Sequence, residues 1–119
     1  MALIPAVVEV VNGREKIYKW ETVGTGDTCA PVCMHPFDDM TLKCVGTFGS
    51  TALSIALHGS DERDGETSGL YTALTDISGT AIAIVAAGTA VVGPTVRWYK
   101  PVISAGDGTS DVDIYLKGA

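Results

Sequence analysis

The chain of 119 residues has little of what catalysis, membrane insertion and nucleic-acid binding are usually built from. Aromatic residues make up 7% and charged residues 18%, and there are two histidines, His35 and His58, far apart in the sequence. No Gly-x-Ser-x-Gly, phosphate-binding glycine loop or His-Glu-x-x-His occurs, so an enzyme, a cofactor and a small-molecule substrate are not expected. A membrane-spanning helix needs about 18 uncharged apolar residues in a row. The longest apolar stretch, Ala81 to Val92, is mostly alanine and is interrupted by Gly88 and Thr89. Met1 to Val8 carries no basic n-region and Glu9 follows at once, so a secretory leader is not expected either. Basic residues are the scarcer sign, 8 Lys+Arg against 14 Asp+Glu for a net charge of −6, and they do not cluster. A phosphate backbone would find no electrostatic footprint, which argues against a nucleic-acid partner.

What is present is a strand grammar. Hydrophobic residues reach 46%, enough for one domain with its own core. Leu53, Ile55 and Leu57 alternate with Ala52, Ser54 and Ala56, and Val112, Ile114 and Leu116 alternate with Asp111, Asp113, Tyr115 and Lys117, the two-residue period of half-buried strands. Thr80 to Ala86, with Ile82 and Ile84 on one face, and Leu42, Cys44 and Phe48 before Gly49-Ser50 add two more. The second of these leads into the Leu53 strand through a turn that reads as a tight hairpin. Asn12-Gly13 is a strong turn signal because both residues tolerate positive φ, and it predicts a hairpin of Ala6–Val11 with Arg14–Thr22. Ala86 to Val92 is a poor helix, containing Gly88, Thr89 and two valines, and reads as a strand end plus turn. The expectation is an all-β chain, an antiparallel β-sandwich or jelly roll of about 7–8 strands with little or no helix. Residues 41–119 form its core. Residues 1–40 read as an N-terminal hairpin followed by the long aperiodic loop Gly24 to Met40, a possible clasp or arm ordered by a neighbour.

Four features could carry chemistry, each with a plainer structural reading. Cys29, Cys33, His35 and Cys44 are the right types for a zinc site, but the spacing gives no tight knuckle in the second half, and Cys44 shares an apolar strand face with Leu42, where a thiol acts as a small hydrophobe. An odd number of cysteines without a leader points to reduced thiols. Asp61, Glu62, Asp64 and Glu66 form an acidic loop that lacks the calcium-hand spacing and reads as a solvated strand connection. Tyr18 and Trp20 fall on one strand face, either an exposed partner patch or core. Trp98 reads as core. Exposed aromatics at Tyr18 and Trp20 and the carboxylates Asp61, Glu62, Asp64 and Glu66 are the candidate partner-binding residues.

Residues 46 to 117 carry a resemblance. Gly46-Thr-Phe-Gly49, Leu53-Ser-Ile-Ala-Leu-His-Gly-Ser-Asp61, Asp64-Gly65, Tyr71-Thr-Ala-Leu-Thr-Asp76, Val96-Arg-Trp-Tyr-Lys-Pro-Val102 and Gly106-Asp-Gly-Thr-Ser-Asp111 together resemble the small β-sandwich head decoration, or cement, proteins of tailed bacteriophages. The Gly-Ser-x-x-x-Asp-Gly and Leu-Thr-Asp portions also look like discoidin-type and carbohydrate-binding sandwiches. The chain departs from the phage-head pattern after Asp64-Gly65, where Glu66-Thr-Ser-Gly-Leu precedes Tyr71. The resemblance implies a structural protein made in a bacterial cytoplasm and carried on the capsid exterior of the virion. It would bind the major capsid protein and self-associate as a dimer or trimer. A carbohydrate-binding module and a phage tail or baseplate component are the alternatives.

Overall fold

The computed structural model describes residues 3–11, 14–34, 39–61, 70–93 and 96–119. Among these residues there are strands and turns and no helix. The strands are β1 (Leu3–Ile4), β2 (Val7–Val11), β3 (Lys16–Val23), β4 (Thr28–Cys29), β5 (Val32–Cys33), β6 (Met40–Thr47), β7 (Leu53–Ser60), β8 (Thr72–Ala73), β9 (Gly88–Val92), β10 (Trp98–Ala105) and β11 (Asp111–Gly118). Seven of them have five residues or more, which is the expected complement; β1, β4, β5 and β8 are two-residue pieces inside stretches without a readable period.

The fold is an antiparallel β-sandwich. One sheet has five strands in the order β2-β3-β11-β6-β9, the other four in the order β5-β10-β7-β8, and a parallel ribbon of β1 with β4 completes the set. Alternation explains the layering. On β7 Leu53, Ile55 and Leu57 are fully buried, and on β11 Val112, Ile114 and Leu116 are, so each strand turns one side chain in two toward the partner sheet. Trp20, Tyr99, Met34, Met40, Leu42 and Cys44 fill the space between them.

Three expectations change. β6 and β7 do not form a hairpin: β6 pairs with β11 and β9, and β7 with β10 and β8. Both bury one face, a pattern that two facing sheets satisfy as well as two neighbours in one sheet. The chain leaves β6 at Gly46, whose φ of +128° and backbone approach to Asp111 leave no room for a side chain, and turns the corner through a Leu53 N–H to Phe48 carbonyl bond of 2.9 Å.

Among the described residues up to Met40, the strands are part of the sandwich rather than of an arm. β3 lies between β2 and β11, and Trp20, Val23, Cys29, Val32 and Met34 are core residues. The aperiodic loop is inserted: β4 runs beside β1, and the Ala30 N–H donates to the Ile4 carbonyl at 2.9 Å. Since β1 leads into β2 and β4 into β5, this ribbon ties the edges of the two sheets together. The β2–β3 hairpin forms as expected, with its Asn12-Gly13 turn outside the described residues.

Thr80 to Ala86 is no strand. Ala81 and Ile84 make single bridges, to Thr75 and Ile55, while Ile82 is buried. Here apolar alternation reflects anchoring of a loop to the core.

Candidate functional site

Among the described residues no group of three or more potential metal ligands comes together, and the candidate site is a surface that strand register builds. On the outer side of the five-stranded sheet, Val7 pairs with Lys19, Lys19 with Tyr115, Tyr115 with Lys43 and Lys43 with Thr89. The next outward row runs Ile17, Lys117, Thr41 and Val91. Between these rows lies an open groove of about 290 Å³, lined by Ile17, Thr41, Lys43, Val45, Thr89, Tyr115 and Lys117. Its floor is mostly carbon, from the Tyr115 ring, the branched side chains and the lysine stems.

The charges around it are arranged unevenly. Lys19 Nζ is 3.6 Å from Glu21 and 4.0 Å from both Glu9 and Asp113, and lies 5.2 Å from the Tyr115 ring centroid. A side-chain hydrogen bond with Tyr115, helped by the Glu21 and Asp113 carboxylates, holds the Lys19 pKa above its usual value. Asp113 also shapes the strand. Register slips between Val112 and Ile114, leaving Glu21 and Thr22 of β3 opposite Asp113, and the Asp113 carboxylate accepts the Thr22 N–H at 3.0 Å while Thr22 adopts φ +56°. This bulge gathers the acidic groups at one end of the face. At the other end Lys117 meets Glu15 at 3.5 Å, whereas Lys43 is exposed and makes no ion pair among the described residues.

The outer side of the four-stranded sheet is different. β7 presents Ser54, Ala56 and His58, and β10 presents Trp98, Lys100 and Val102. Lys100 Nζ sits 4.4 Å over the Tyr71 ring. His58 has its pKa lowered by partial burial and by Lys100. A cleft of about 140 Å³ between β4 and β10 includes Asp27 and Lys100 in its lining.

The residues singled out from sequence are scattered. Tyr18 and Trp20 do share a face, but it is the inner one. Trp20 is 0% exposed, with Nε1 donating to the Ala30 carbonyl at 2.9 Å, so it cannot meet a partner. Tyr18 is half-buried beside the core, with Lys16 Nζ 4.9 Å over its ring. Trp98, expected in the core, is on the outer side in register with Cys33 and Ser60; its neighbour Tyr99 takes the inner position. Asp61 is exposed and accepts the Arg97 N–H at 3.1 Å, while Glu62, Asp64 and Glu66 lie outside the described residues.

Of the candidate zinc ligands, the three cysteines do not come together among the described residues. Cys29 and Cys44 are in the core, where burial raises both thiols to about 12, with Asp27 adding to Cys29 and Cys29 adding to Cys44. Cys33 is on the outer side of β5, away from both, and His35 is outside the described residues. No group of three or more potential ligands comes together among the described residues.

The groove itself was only half readable. Tyr115 and Lys117 fall on the polar face of an obvious strand, but Ile17, Thr41, Lys43, Val45 and Thr89 come beside them only through pairing across β3, β6 and β9.

No protein-family model and no curated protein matches the chain. Among solved structures, a cupin domain from Bordetella pertussis Tohama I is similar at 15% identity and a TM-score of 0.35, over 96% of this chain and 91% of that one. So slight an overlap says nothing about what this chain does.

Proposed function

We propose that this chain is a structural virion protein that decorates and cements a bacteriophage capsid by bridging adjacent major capsid protein subunits. The observation that supports this reading most is a sandwich with a buried aliphatic core whose outer surface carries an apolar groove, with the exposed valines Val7 and Val91, at 46% and 47%, in the same outward rows. Exposed apolar surface of this kind marks a contact with another protein. A cement protein asks for no reacting groups. It needs a rigid body and repeated contacts, and many weak contacts at symmetric positions reinforce one another by raising effective concentration. Self-association as a dimer or trimer adds to that gain. A net charge of −6 suits the outside of a DNA-filled shell.

The test is co-sedimentation with assembled shells of the major capsid protein. The chain is expected in the pellet at saturating shell concentration; a chain that stays in the supernatant overturns the reading. A second reading, a carbohydrate-binding module, is favoured by one observation, the half-buried Tyr115 ring in the groove lining. Titration calorimetry against a glycan panel decides it, with flat isotherms removing it. A tail or baseplate place is separated from a head place by locating the protein in the virion.

A further inference from the structure

We infer that the groove across β3, β11, β6 and β9 seats an extended partner segment whose groove-facing residues, every second one along the chain, alternate between acidic and apolar. For the identity of the partner, a segment of the shell subunit, this rests on the capsid reading above; for the chemistry of the seat it does not.

Three features of the groove point to that occupant. First, in a chain with 14 acidic and 8 basic residues, the seven lining residues include Lys43 and Lys117 and no carboxylate. The nearby carboxylates Glu9, Glu21 and Asp113 surround Lys19 and are spent on it, so the lining presents uncompensated positive charge at Lys43. Second, the two outward rows, Lys19-Tyr115-Lys43-Thr89 and Ile17-Lys117-Thr41-Val91, are two residues apart along each strand. That separation, about 7 Å, equals the spacing of same-side residues in an extended peptide laid along the strands. Laid along β6, such a peptide drops every second side chain onto Thr41, Lys43 and Val45 in turn, so that a carboxylate over Lys43 is flanked by apolar groups over Thr41 and Val45, beside the Tyr115 ring. Third, Thr41 and Lys43 of β6 are in register with Val91 and Thr89 of the edge strand β9, and Val91 is 47% exposed, so apolar cover for the alternate side chains continues to the sheet edge.

The test uses a short peptide of the repeat Glu-Ser-Val-Ser as probe, titrated into the full chain and followed by backbone amide NMR, with a Lys-Ser-Val-Ser peptide as counterpart. Saturable shifts confined to Ile17, Thr41 to Val45, Thr89 and Tyr115 to Lys117 are expected for the acidic peptide only, weakening as salt is added. Lys43→Glu is expected to weaken binding about tenfold or more, and Lys43→Arg to stay near wild type, because a rim charge governs encounter and salt dependence. The dispersed spectrum of each variant verifies its fold, and Lys117→Glu provides an independent second variant. Shifts elsewhere, no saturation, equal binding of both peptides, or full binding by folded Lys43→Glu overturns the inference. Failure to sediment with shells while the acidic peptide still binds removes the capsid reading and leaves the seat. Sedimentation by wild type and Lys43→Glu alike, with no peptide binding, does the reverse.

Discussion

The two sheets of this sandwich are alike inside and unlike outside. Inward, both present aliphatic side chains at every second position, Leu53, Ile55 and Leu57 on β7 facing Val112, Ile114 and Leu116 on β11. Outward, the four-stranded sheet shows Ser54, Ala56 and His58 on β7, Lys100 stacked on Tyr71, and a cleft of about 140 Å³ between β4 and β10. The five-stranded sheet shows a groove of about 290 Å³ with two lysines and no carboxylate in its lining. Packing constrains the inner faces equally, so the unequal outer faces are where this chain carries information about a partner.

The sharpest way to break that contrast is to compare neighbours on one strand. Ile114→Ala, on the inner side of β11, is expected to cost about 2–5 kcal/mol of unfolding free energy, as cavity-forming substitutions do. Tyr115→Ala, one residue on and facing out, should cost clearly less in the same urea titrations; equal losses would mean that Tyr115 is structural. Next comes Gly59 on β7, where a Cβ would fall 2.5 Å from Val96 Cγ2 and 2.9 Å from Leu74 Cδ1. Gly59→Ala is expected to lose about 1–3 kcal/mol by overpacking, while Ala56→Ser on the outer side of the same strand should lose little.

Acid then probes the corner that joins the sheets. Asp107 accepts the Thr51 N–H at 2.8 Å and the Thr109 N–H and hydroxyl at 3.0 and 2.5 Å, pinning the β10–β11 turn to the β6–β7 corner. These bonds, that to the Thr109 hydroxyl foremost, lower its pKa from 3.8 to about 2. The depressed folded value means that the stabilisation is complete above 3.8 and disappears as pH falls through about 2. Urea midpoints across that window should drop in wild type and drop less in Asp107→Asn. His58 acts in the same sense at higher pH. Its lowered folded pKa makes protonation favour the unfolded chain, so stability should decline slightly as pH falls below 6.5, and His58→Gln should flatten that slope. The smallest effect is expected for Lys43→Glu, within about 0.5 kcal/mol of wild type by urea titration, because the side chain is exposed and unpaired.

Much of the fold was legible where alternation was long. β7 and β11 can be read directly, since a strand with one wet and one dry face writes its burial pattern in its sequence. Partnering was not legible. β6 and β7 look like a hairpin because local pattern is silent on whether two strands bury their faces in the same sheet or in opposed ones. Trp20 takes the buried side of its strand and Trp98 the half-buried outer side of its own for a related reason: parity gives the two sides of a strand, and only the neighbouring strands say which side is covered. The inserted loop around Cys29 to Met34 had no period, yet it contributes Cys29, Val32 and Met34 to the core, because two-residue strands are too short to show one. As for the groove, its strand-β11 half was visible as the polar side Tyr115–Lys117, and its remainder depends on register that no single strand encodes.

Mass-spectrometric lysine acetylation of the chain, free and bound to capsid-protein shells, compares Lys43 with Lys100 and so tests whether the five-stranded sheet is the contact face. Binding is predicted to suppress acetylation of Lys43 and to leave that of Lys100 unchanged. Protection of Lys100 with Lys43 still reactive, or protection of neither in the bound chain, would contradict it.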